Sequence, residues 1–230
     1  MEKIILVISC MGALICIGWG LKLTSHFTPS FNKNIAQFLL SFTALRYVTL
    51  IIYAYSTSLK IIQFLRYFYF ASSMGVTMLT AFGVWSILPF IRKHLQLKTY
   101  LACFLPWDFF YLYLIITQPN KLIQSEAYGY ELVLTPIFSK YLSIVQGSFI
   151  TIIVILCLVG CLRYRHLQIR VQLILIILAQ GLLTLDGIFS GTQMLSLVKY
   201  FTLTEAFAIW VVDYAWSHPI KIIHEGKYAS

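Results

Sequence analysis

Charge is what this sequence has least of. Only 11% of its 230 residues are Asp, Glu, Lys or Arg, where a soluble domain carries roughly a quarter. Hydrophobic residues make up 60% and mean hydropathy is +0.82. A water-facing surface cannot be built from that composition, so the chain reads as an integral membrane protein. Catalytic signatures are missing too. There is no GxSxG, HExxH, paired CxxC, P-loop or kinase motif, and each of those would mark a specific chemistry. An enzyme is therefore not expected. The five cysteines are odd in number and all lie within apolar segments, which argues against a disulfide framework and for small packing residues. Internal repeats and low-complexity tracts are absent as well.

What is present is a series of long apolar runs. A helix needs about 20 apolar residues to cross a bilayer, and on that measure the chain offers seven spans, at about 4–21, 34–55, 60–88, 98–117, 138–162, 168–188 and 195–216. The expectation is an all-α, polytopic seven-helix bundle forming one domain over 1–230. The first run is long enough to span and no small-x-small cleavage site follows it, so it reads as a retained helix rather than a signal peptide. The third run is overlong and calls for tilt or extension past the interface.

The net charge of +9 does not point to nucleic acid. The basic residues sit in short clusters between apolar runs, where they set topology. Lys22, Lys33, Arg92, Lys93, Lys98, Arg163, Arg165, Arg170, Lys221 and Lys227 fall on one side, against Lys3, Lys60, Lys121, Lys140 and Lys199 on the other. Ten against five places the N-terminus outside and the C-terminus in the cytoplasm. All five histidines then lie on the cytoplasmic side, at spacings that match no metal motif; no metal or other cofactor is expected. The longest external connection, about 118–137, reads TQPNKLIQSEAYGYELVLTP. It is long enough for a binding or lid loop, and equally open to being a passive one.

Away from the basic residues at the span ends, the candidate charges within spans are Arg46, Arg66, Asp108, Asp186, Glu205 and Asp213. Each costs at least ~2.5–3.5 kcal/mol near the centre of a helix, so each wants a partner. Arg46, Arg66, Asp108, Asp186 and Glu205 map to the outer half, where Arg46 with Asp108 or Glu205 and Arg66 with Asp186 are the economical pairings. Such pairs can simply lock helices together, or they can line an outward-facing polar pocket that binds a ligand or switches on protonation; an ion or proton pathway is a third alternative. Ten of the fifteen tyrosines map to the same outer end, more than an interfacial belt on both faces requires. Asp213 lies near the inner end and reads as an interface residue. Lys199 stands at the mouth of the last span, leaving no mid-span lysine for a retinal Schiff base. In WSHPIK, Pro219 lies beyond that span rather than inside it, so the last-helix signature of eukaryotic G-protein-coupled receptors is absent. GIFSG, at Gly187–Gly191, has the small-xxx-small spacing of close helix contacts.

Three segments carry a resemblance: NIAQFLLSFTALRYVTLIIYAYSTS with LKIIQFLRYFYFASSMGVTML, RHLQIRVQLILIILAQGLL, and FTLTEAFAIWVVDYAWSHPI. Together they resemble the N-terminal seven-helix sensor region of bacterial membrane histidine kinases. The resemblance implies a bacterial cytoplasmic membrane, an outer half that senses a stimulus and a last helix, with Asp213 and Pro219 at its exit, that passes the signal inward. Two departures stand out. TQPNKLIQ lacks the His expected downstream of its Asn. Only eleven residues follow Pro219, with no phosphoacceptor His region and no ATP-binding domain. The expectation is a stand-alone sensor or receptor-like module that binds a small molecule or peptide on the outer side and signals through a partner protein. A non-catalytic accessory or structural subunit of a larger membrane complex is the alternative, and a small transporter a third, which the lack of repeat symmetry counts against.

Overall fold

A computed structural model describes residues 2–27, 30–56, 58–118, 120–125, 129–191 and 198–218. Within them the chain is almost entirely helical. The elements run α1 (Glu2–Thr24), α2 (Ser30–Tyr55), α3 (Leu59–Leu65), a 3-10 turn (Arg66–Phe68), α4 (Ala71–Ile87), α5 (Pro89–His94), α6 (Leu97–Ala102), α7 (Leu105–Thr117), β1 (Asn120–Ser125), β2 (Gly129–Leu134), α8 (Pro136–Arg163), α9 (Leu167–Gly191) and α10 (Val198–Ser217).

Proline punctuates this order. Leu88, the residue before Pro89, is extended at φ −92°, ψ 101°, as the ring of a following proline demands, and this stops α4. Prolines also occupy the first turns of α5, α7 and α8, where no backbone N–H is missed. Gln118, at φ 48°, closes α7 in the left-handed region.

Among the described residues, five helices are long and apolar enough to cross a membrane: Lys3–Thr24, Ser30–Tyr55, Leu59–Ile87, Pro136–Arg163 and Leu167–Leu185. The chain is built as an integral membrane protein. The sequence-based count of seven also used 98–117 and 195–216. The first of these is broken at Cys103–Phe104 into α6 and α7, and α7 with 13 residues covers only about 20 Å of a ~30 Å hydrocarbon layer. The second, α10, has 20 residues but carries Lys199, Glu205 and Asp213. The overlong third run is also interrupted, as α3, the 3-10 turn and α4.

The fold is not purely α. The segment expected to be an external loop contains an antiparallel hairpin, with Lys121 opposite Val133 and Leu122 opposite Leu132. Leu122 packs on Tyr53 of α2 and Ile62 of α3, fixing the hairpin beside the C-terminal end of α2. A two-stranded sheet leaves open edges that hydrocarbon cannot satisfy, so this marks one end of the bundle as a wet end.

Helix α4 is the hub. It packs against α2, α10, α6, α9, α7 and α8, and Val76, Met78, Leu79, Ala81, Phe82, Val84 and Ile87 are all buried. A helix apolar on all sides belongs inside. By contrast α1 exposes Ile4, Ile8, Ile15 and Trp19, and α8 exposes Ile137, Ile144, Ile155 and Leu162. Such continuous apolar faces are stable against lipid and not against water. At the end opposite the hairpin, Phe27 meets Phe82 and Trp216 edge to face and Phe82 is tilted against Trp216, with ring centroids 5.4–6.1 Å apart.

Close approach of α2 and α4 depends on Gly75. A Cβ there would strike the Thr43 hydroxyl and come within 3.2 Å of the Leu39 carbonyl oxygen. Small residues let helix backbones meet in this way. Gly75→Val is therefore expected to destabilise the bundle by roughly 1–3 kcal/mol, the usual cost of overpacking, read as a lower thermal midpoint in detergent; Gly12→Val, where a Cβ meets nothing within 4 Å, is expected to leave the midpoint unchanged.

Candidate functional site

Arg46 sits on the face of α2 that turns to α4 and α10, and only 6% of it is exposed. Its Nε lies 3.3 Å from Oε2 of Glu205 on α10. Its Nη1 donates to the carbonyl oxygen of Tyr69 at 2.7 Å, and the guanidinium stands 4.6 Å from the centroid of the Tyr69 ring. Glu205 is buried as well. Its Oε2 also accepts from the Tyr47 hydroxyl at 3.0 Å, while Oε1 accepts from the Ser72 hydroxyl at 3.1 Å. One carboxylate thus joins α2, the start of α4 and α10. The carbonyl of Tyr69 is available because the chain is non-helical at Tyr69–Phe70, just before α4. Of the two partners expected for Arg46, the structure selects Glu205.

The remaining expected members do not join this cluster. Asp108 is buried in the first turn of α7, and α7 packs on α4 and α8. Among the described residues it makes no ion pair, and its Oδ1 has no hydrogen-bond donor; it does lie where the helix dipole favours an acid. Arg66 occupies the 3-10 turn, half-buried, with its guanidinium 5.6 Å from the Tyr67 ring centroid. Asp186 lies on α9, but its side chain, and with it the expected pairing to Arg66, is outside the described residues. Pro219 also lies outside them.

Asp213 is packed within the bundle. Placed at the inner interface by the sequence, it is 2% exposed, and its carboxylate lies against Gly20 of α1, so that a Cβ on Gly20 would strike Oδ1. Neither carboxylate oxygen has a hydrogen-bond partner among the described residues. The residue is interior because α1 and α10 pack along their lengths, turning this face of α10 inward.

The site also includes residues the sequence did not single out. A cavity of about 250 Å³ opens beside Glu205. Helix α4 contributes Ser73 and Thr77, α7 Tyr111, α8 Ser143 and Gln146, and α9 Gln180 and Thr184; Val76, Phe149, Ile150 and Leu183 supply the apolar remainder. The lining falls in the N-terminal halves of α4, α8 and α10 and the C-terminal halves of α7 and α9, which is the hairpin end of the bundle. Gln180 donates from Nε2 to the Thr80 hydroxyl at 3.1 Å, tying α9 to α4. Tyr111 belongs to the tyrosines that cluster at the outer end; the Ser, Thr and Gln residues within apolar runs are a weak signal, because such residues also bond to their own helix backbone. Among the described residues, no three His, Cys, Asp or Glu side chains gather in a way that could hold a metal ion.

Removing one member of a buried pair leaves the other charge uncompensated, at a cost of about 3–5 kcal/mol. Arg46→Leu and Glu205→Leu are each expected to lose that much stability, while the double variant loses clearly less than their sum. Denaturation midpoints of the four proteins in one detergent give the coupling directly. No known family model matches the chain, and no curated protein matches it significantly.

Proposed function

We propose that the chain is a stand-alone sensor or receptor-like module of a bacterial cytoplasmic membrane, with its N-terminus outside, its C-terminus inside and output through a partner protein. The observation that carries this reading is the position of Glu205. It pairs with Arg46 deep in the bundle, lines the cavity at the hairpin end, and belongs to the same helix as Asp213. Eight residues separate the two acids, about 12 Å along the axis. A change at the cavity that alters the Glu205 contacts would bias how α10 packs on α2 and α4, and the far end of α10 would move with it. Switching requires such an element with two arrangements. The resemblance to kinase sensor regions and the excess of Lys and Arg on one side support the same direction of signalling.

The accessory-subunit reading drew on buried charges pairing between chains. Arg46 and Glu205 instead find each other within one chain, which favours the sensor.

Two measurements test the proposal. In a cysteine-depleted background, Lys121→Cys is expected to react with a membrane-impermeant maleimide from outside intact cells, and Arg165→Cys only after permeabilisation; the reverse pattern would overturn the orientation. The chain purified gently with its partner is expected to show changed partner output in Glu205→Gln while the complex persists. A complex that holds equally well with unchanged output makes the chain an accessory subunit, and native mass spectra with no partner at all remove both readings.

A further inference from the structure

The lining of the cavity is polar but electrically balanced. Thr77 donates to the carbonyl of Ser73 at 2.6 Å, Ser143 to that of Ser139 at 3.0 Å and Thr184 to that of Gln180 at 2.7 Å. Each hydroxyl has spent its single hydrogen on its own helix and so presents lone pairs, and Thr77 already meets the Tyr111 hydroxyl. Gln180 gives one of its two amide hydrogens to Thr80, and Gln146 and Tyr111 bring further donors to the lining. Glu205 is the one charged residue in the lining, and Arg46 compensates it. A carboxylate offers about four lone-pair sites, more than the contacts from Arg46, Tyr47 and Ser72 fill. The wall therefore offers acceptors on Thr184 and Glu205 beside donors on Tyr111 and Gln146, with no net charge.

We infer that this cavity binds a small uncharged molecule that bears hydrogen-bond donors, of the phenol, alcohol or amide class, in preference to an ion or a peptide. An ion would give up its hydration and meet no unbalanced counter-charge, which costs far more than a neutral polar group pays. Size narrows the class further. A cavity of about 150 Å³ takes up benzene, so 250 Å³ holds one substituted ring and not a peptide. Apolar contacts from Val76 and Phe149 suit the body of such a ring, and Thr184 and Glu205 accept from its donor. The donor competes for lone pairs beside Glu205, next to Ser72 and Ser73 of α4, so occupancy acts on the same α4–α10 contact that the sensor reading uses. The inference rests on that reading only for what binding does, not for whether binding occurs.

Fluorine NMR on the purified chain in nanodiscs tests it with fluorophenol, fluoroanisole, which lacks the donor, and fluorobenzylammonium, which adds a charge. Fluorophenol is expected to bind saturably and fluoroanisole about fivefold more weakly, the worth of one hydrogen bond. Gly147 lines the cavity, and a Cβ there meets no atom within 4 Å; Gly147→Leu is expected to abolish the saturable binding while helicity by circular dichroism is unchanged. Thr184→Val is expected to weaken it about fivefold by removing one acceptor, and carries the test if Gly147→Leu does not fold. Equal binding of fluorophenol and fluoroanisole, tighter binding of the ammonium, no saturable binding, or binding that neither variant changes would each overturn the inference. Saturable binding that never alters partner output would leave the site standing and remove only the sensing role.

Discussion

Hydrocarbon offers no hydrogen bonds, so an arginine within a membrane-spanning helix must have its donors met by the protein itself. Arg46 meets this demand with three elements at once: the carboxylate of Glu205, the carbonyl and the ring of Tyr69, and a neighbouring tyrosine, Tyr47, that shares the same carboxylate. The requirement fixes the register of α10 against α2. It also explains why the chain is non-helical just before α4, since a carbonyl engaged in a helix would be less available to a guanidinium. Thr43 and Gly75 sit one turn further along the α2–α4 contact, where the absence of a side chain lets the two backbones close to the distance the cluster needs.

The two ends of the bundle are built differently around the shared hub of α4. Toward the hairpin, polar side chains from five helices surround a cavity and one neutralised ion pair. Toward the other end, the Phe27, Phe82 and Trp216 rings fill the space, and the one acid there, Asp213, lies against the bare backbone of Gly20. Aromatic packing of that kind has few alternative arrangements, whereas hydroxyls and a carboxylate around a cavity can exchange partners. The contrast gives α10 polar contacts around a cavity at one end and aromatic packing at the other.

The sequence by itself determined the solvent. Low charge and long apolar runs allow a bilayer and little else, and five of the expected runs are helices long and apolar enough to cross it. It also marked Arg46 and Glu205 as residues that need partners, because the cost of an unpaired charge in a membrane depends on depth along a helix, which is countable. The breaks in the third and fourth runs were less legible, since Pro106 sits in a first turn that tolerates it and no proline marks the 3-10 turn at Arg66–Phe68. The hairpin was hidden because a six-residue strand with mixed polarity resembles a loop.

Only the tertiary structure decided which helices touch. A lipid-facing residue and a buried one are equally apolar, so hydropathy does not rank neighbours around the bundle. That is why Asp108 is as good a partner for Arg46 as Glu205 on sequence alone, although α7 packs on α4 and α8. The cavity is likewise a property of packing: Thr77, Tyr111, Ser143, Gln180 and Thr184 stand on four helices, and nothing in their spacing along the chain brings them together. The sequence determined what the bilayer would tolerate; the contacts between helices, which are local in space and distant in sequence, decided where its few polar groups could meet.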